Sequence, residues 1–170
     1  CVEERKLWRM RKRVYIETTI PSFYYTLRTD PESVARMHWT RLWWNMHAES
    51  SELVSSAAVI AELERGAGEN TEARLALMNN VELLEISVEV KEIARIYIQR
   101  LVMPNDPTGD ALHLALACFY QVDVLLTWNC QHLANPNKMQ HIRLVNYELG
   151  LPMPVLTTPL NYVGGGESDG

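Results

Sequence analysis

Val14-Tyr15-Ile16-Glu17-Thr18-Thr19 (VYIETT, residues 14–19) begins as a strand meant for the middle of a sheet and ends on a charge. Two β-branched residues flank an aromatic one, which suits a pleated, buried surface. Glu17 follows at the point where such a strand leaves the core. A buried charge without a partner is costly, so the carboxylate needs a reason to be there.

The stretch is the first of several. Strand-like segments recur at Leu53–Ser55, Val81–Ile86, Val122–Thr127 and Pro154–Thr157, with helical patterns between them. Asp30-Pro31 supplies a cap and a first-turn proline for a helix through Ala48. Ser55 or Ser56 can open AAVIAELER, which Gly66 closes. Asn70 or Thr71 opens TEARLALM, and Ser87 opens VEVKEIARIYIQRL, where Val88, Ile93, Ile96 and Leu101 recur at helical spacing. Asp106-Pro107 reads as the cap and first residue of PTGDALHLALACFYQ, Asn135-Pro136-Asn137 as a loop, and Lys138–Leu149 as a short helix.

Strands separated by helices pair in parallel through right-handed crossovers. The expectation is a three-layer α/β/α sandwich around a parallel sheet of four to five strands. Ligands of such sheets sit beyond the carboxyl ends of the strands, which is where Glu17 falls.

Three other stretches bring polar groups toward that edge. In SSAAVIAELERG, Ala58, Ala61 and Glu62 share a helical face, whereas Glu64 points elsewhere, to solvent. In NDPTGDALHLALA, Asp106 is explained by capping, but Asp110 lies beyond the cap, with Gly109 leaving room for a close ligand and His113 one turn on. In VDVLLTWN, Thr127 and Asn129 reach the same sheet edge, and Asn129 also suits a cap of the following segment. If Glu17, Glu62 and Asp110 converge, their repulsion calls for a cation or a proton. All-oxygen donors select Mg²⁺ or Mn²⁺ over zinc, and such an ion serves phosphodiester hydrolysis.

Composition permits this chemistry. The 170 residues carry a net charge of −5, although residues 1–13 hold six Lys/Arg against Glu3 and Glu4. An acidic body argues against tight, nonspecific nucleic-acid binding through a broad basic face. Three cysteines in no metal-binding spacing, no membrane-length apolar run and no secretory signal give the expectation of a cytoplasmic protein. Met10 is a candidate start, which would leave residues 1–9 upstream of it; the expected organisation is a basic extension over 1–11, the folded domain over 12–160 and a flexible glycine-rich tail over 161–170. A phosphoacceptor receiver domain would want a lysine ending a late strand, and neither Lys91 nor Lys138 is so placed.

VYIETT, SSAAVIAELERG, GDALHLALA and VDVLLTWN, in that order and spacing over residues 12–160, resemble the PIN domain, most closely the VapC-type toxins of bacterial toxin–antitoxin systems. The resemblance implies a metal-dependent endoribonuclease, an RNA substrate, a cognate antitoxin and a homodimer. It implies Glu17, Glu62 and Asp110 as metal ligands using Mg²⁺ or Mn²⁺, Asn129 as a fourth catalytic residue, and Thr18, Thr127 and His113 as supporting or substrate-contacting groups. Two departures stand out. Glu17 replaces the usual aspartate. Asn129 stands where many members carry an acid, which keeps an oxygen but removes a charge. The second departure raises an alternative, a degenerate PIN scaffold that binds RNA or protein without cleaving. Trp39, Trp43 and Trp44 read as the packing face of their helix, with a surplus aromatic available to a dimer or antitoxin groove; Arg28 and Arg41 read as surface charges within reach of RNA.

Overall fold

The computed structural model describes residues 11–66, 68–100, 102–106 and 109–165. The basic residues 1–10, Leu101, Pro107 and the tail 166–170 lie outside the described residues. Five strands form one all-parallel sheet: β1 (Arg13–Ile16), β2 (Glu52–Ser56), β3 (Glu82–Leu84), β4 (Val124–Leu126) and β5 (Val155–Thr157). Eight helices accompany them among the described residues: α1 (Thr19–Tyr24), α2 (Pro31–His47), α3 (Ala57–Arg65), α4 (Thr71–Leu77), α5 (Val88–Gln99), α6 (Asp110–Phe119), α7 (Pro136–Leu149) and α8 (Pro159–Gly165). The result is the expected three-layer α/β/α sandwich. No helix is long and apolar enough to cross a membrane.

Strand order is β3-β2-β1-β4-β5. The chain steps outward from β1 to β2 to β3, then jumps back across β1 to lay down β4 and β5. Right-handed crossovers therefore place the helices before β3 on one face and α5–α7 on the other. β1 is central because it is paired on both edges, with Tyr15 opposite Val54 on one side and Leu125 on the other. Val14, Tyr15, Ile16 and Leu125 are fully buried, as the β-branched run anticipates.

Most helix starts follow their local chemistry. Asp30 accepts the backbone N–H of Ser33 at 3.0 Å, and Ser87 that of Val90. Asn135 accepts the N–H of Asn137, so Asn135-Pro136 opens α7 as cap and first residue where a loop was expected. The expected cap at Asp106 is corrected as well. Its carbonyl instead accepts the N–H of Gly109 to close a turn, and the helix starts at Asp110. The space beside Gly109 is filled by Asp106: a Cβ there would come within 2.6 Å of its carboxylate. A side chain at 109 would therefore have to displace the Asp106 carboxylate, and Gly109 also borders the cavity beside Asp110, where the sequence expected room for a ligand. Trp43 is fully buried between α2 and α8, its ring 5.7 Å from that of Tyr162, and Trp39 and Trp44 are partly buried against the core. α8 runs past position 160.

Candidate metal centre

The direction of chain progress reverses between β1 and β4, and the carboxyl edge at such a switch point opens a crevice. Glu17 leaves β1 there, and Thr127 leaves β4 beside it; the Glu17 N–H still donates to the Leu126 carbonyl at 3.2 Å. Glu17 is 4% exposed. Its Oε2 accepts three hydrogen bonds, from the Thr19 N–H at 3.0 Å, the Thr19 hydroxyl, and the Thr127 hydroxyl at 2.8 Å. Each hydroxyl is fixed in turn: the Trp128 N–H donates to Thr19 Oγ1 and the Asn129 N–H to Thr127 Oγ1. The carboxylate is clamped through one oxygen before any ligand arrives.

Glu62 comes from α3 on the far side of β2, with the half-buried placement that the Ala58–Ala61–Glu62 face predicts. Thr18 donates to its Oε2 at 2.7 Å. His113 Nε2 lies 2.8 Å from its Oε1 and is the donor, since an ionised carboxylate has no proton to give. His113 is 1% exposed on α6, a helix buried from Ala111 through Cys118. One ligand atom from each of Glu17, Glu62 and His113 lies within 4.8 Å of the others, the arrangement that can hold a metal ion among the described residues.

Asp110 reaches the same end of the sheet without joining that tight trio. Asn129 Nδ2 donates to its Oδ1 at 3.0 Å. Asn129 Oδ1 meanwhile accepts the N–H groups of Gln131 and His132, capping a turn rather than a helix. Asp110 and Glu62 line one cavity of about 370 Å³ together with Arg65, Asp106, Gly109 and His132. Arg28 pairs with Asp30, and Arg41 donates to the Tyr24 carbonyl.

Electrostatics follow burial and neighbours. Desolvation pushes the Glu17 carboxyl up, only partly offset by His113 and the Thr19 and Thr127 hydrogen bonds. Desolvation does the same to Asp110 against the pull of His113, His132 and Asn129. Burial would also raise Glu62, but its hydrogen bond and ion pairing with His113 outweigh that and hold it below the usual range. Burial alone would lower His113; the bond to Glu62 and the charges of Glu17, Glu62 and Asp110 reverse the sign and raise it.

Two contributors escaped the sequence reading. Thr19 supplies two of the three donors to Glu17, and Tyr15 holds His113 from behind, its hydroxyl 2.8 Å from Nδ1. The signal for Tyr15 was present: it precedes Glu17 by two, so strand alternation puts both on one face.

No family model and no curated protein matches the sequence. Among solved structures, the chain is similar to one in VapBC2 from Rickettsia felis bound to a DNA fragment from their promoter, at 15% identity and a TM-score of 0.51, covering 86% of this chain and 98% of that chain. FitAcB from Neisseria gonorrhoeae follows at 17% identity and a TM-score of 0.46, covering 69% of this chain and 88% of that chain, too low a score to carry an argument. At such identity the first likeness speaks to architecture alone, and it agrees with the five parallel strands and flanking helices. The chain has a three-layer α/β/α fold similar to that of the matched chain in VapBC2.

Proposed function

We propose that the protein is a divalent-metal-dependent endoribonuclease of the toxin type, with Glu17, Glu62 and Asp110 as its acidic residues and Asn129 assisting. The observation that carries this reading is the pair of glutamates, one buried and one half-buried, that meet at the switch point with no Lys or Arg hydrogen-bonded to either among the described residues. Their donor set fits a hard cation of the Mg²⁺ or Mn²⁺ class. Such an ion, when bound, activates water and offsets charge on the phosphoryl oxygens.

The chain's own part is positioning. Thr19 and Thr127 fix Glu17, while Thr18 and His113 fix Glu62. Asp110, turned toward the cavity and oriented by Asn129, is suited to hold the attacking water. RNA as substrate, an antitoxin-type protein partner and homodimerisation follow from the four-motif resemblance, and a cytoplasmic location from the cysteine usage and the lack of a secretory or membrane-length apolar run. The VapBC2 likeness supports the scaffold on which they rest. Asp110→Asn keeps the shape and removes the charge, so Mn²⁺-stimulated RNA cleavage is expected to fall about 100-fold or more. Full activity in that variant would remove the assignment.

A second reading, a scaffold that binds RNA or protein without cleaving, is favoured by one observation. Asn129 occupies Asp110 Oδ1, and Asp110 stands outside the tight trio. Calorimetry with Mn²⁺ separates the two, because a non-cleaving scaffold need not take up metal.

A further inference from the structure

Behind Glu62 runs a chain of buried polar groups that the acidic residues do not explain. Glu62 Oε1 meets His113 Nε2 at 2.8 Å, His113 Nδ1 meets the Tyr15 hydroxyl at 2.8 Å, and that hydroxyl meets Ser56 Oγ at 2.8 Å. Tyr15, Ser56 and His113 are at most 1% exposed, and each comes from a different element: the centre of β1, the end of β2 and the middle of α6. An aromatic ring suits a buried central strand, but a hydroxyl there must find a partner. Phenylalanine would fill the same volume and need no hydrogen-bond partner.

The geometry points to Tyr15, seated on Ser56, as a positioning residue that acts through His113 to fix the Glu62 carboxylate for the metal. This rests on the metal-dependent reading above and extends it to Tyr15 and Ser56, which lie within the quoted motifs but had been given no role at the site. Glu62 belongs to a surface-facing helical turn and has several rotatable bonds, so on its own it would sample many rotamers. Two donors hold it. Thr18 takes Oε2 from one side, but that side chain sits on the half-buried segment after β1. The deeper anchor is His113, whose ring can aim at Glu62 only while its other nitrogen is pinned. Tyr15 pins it with its hydroxyl, and its ring lies 5.7 Å from the imidazole. Partners of this kind behind metal-site residues orient the ligand and are worth about 10- to 100-fold in metal affinity.

The test compares matched lesions. Tyr15→Phe removes one oxygen and keeps the ring. Tyr97→Phe removes an equally buried hydroxyl, bonded to Asn146 and assigned no part in the site, and controls for lost stability. Mn²⁺ titration calorimetry on the wild type and both variants should show about tenfold weaker binding for Tyr15→Phe and a change under twofold for Tyr97→Phe. In cleavage assays, the Mn²⁺ concentration for half-activation should rise by the same factor, with KM for RNA unmoved. Ser56→Ala, which loosens only the far end, should weaken Mn²⁺ binding about threefold, and it decides the matter if Tyr15→Phe does not fold. Wild-type affinity in Tyr15→Phe, or an equal loss in Tyr97→Phe, overturns the positioning role and leaves the nuclease reading intact. A wild-type protein that takes up no Mn²⁺ overturns both.

Discussion

At the scale of single residues, the site is defined by how its acids are held. Glu17 and His113 both bind a proton more tightly in the folded protein than in the unfolded chain, where their reference values are 4.5 and 6.5. The native state then carries more protons than the unfolded state, and stability falls as pH rises. The contribution of His113 is fully present below 6.5 and is lost as pH climbs through its elevated folded value; that of Glu17 begins to fade above 4.5. Glu62 is lowered and works in the opposite sense, adding stability above 4.5 that acid removes. Melting temperatures in EDTA are therefore expected to drop between pH 6.5 and 9, with 1 mM Mn²⁺ flattening the slope by taking the place of the proton. A rising melting temperature over that range would contradict the charge assignment at His113. Glu17 and Glu62 could be singled out from sequence because each interrupts an apolar pattern. Thr19 could not, because a threonine after a strand is ordinary until its partners are known; Tyr15 could be placed on the face of Glu17 by strand alternation, but its partner His113 could not be named.

Among the elements, most of the capping chemistry was legible. Ser87, Asp30 and Gly66 end or begin helices where their types demand. Ser56 and Asn70 occupy cap positions without donating or accepting a side-chain cap bond, and Ser56 is instead committed to Tyr15. Asn135→Ala should therefore cost about 1 kcal/mol of stability in urea unfolding through its lost cap, and Asn70→Ala about as much through the lost bond from its Nδ2 to the Tyr25 carbonyl, 2.7 Å away. Short pieces were less readable. α1 and α8 hold too few residues to establish a period, and α6 hides its start because Asp106 and Asp110 are both plausible openers. The turn closed onto Gly109 decides between them, and that choice depends on a backbone hydrogen bond, from the Gly109 N–H to the Asp106 carbonyl, that no periodicity records.

Taken whole, the molecule is a sheet whose five strands were legible in the sequence and whose order was not. The apolar runs of β1 and β4 announce burial on both faces, and Leu125, paired with Tyr15 and Leu156, is fully enclosed. Leu125→Ala should lower unfolding free energy by about 3 kcal/mol, read from the urea midpoint at unchanged slope. The strand order was beyond pattern reading, since parallel pairing alone leaves several permutations open. Because β4 docks against β1, the Thr127 hydroxyl that steadies Glu17 is supplied from 110 positions further along the chain. During synthesis, then, Glu17 lacks this donor until Thr127 has emerged from the ribosome. Until β4 arrives, the first strand waits with one edge unpaired.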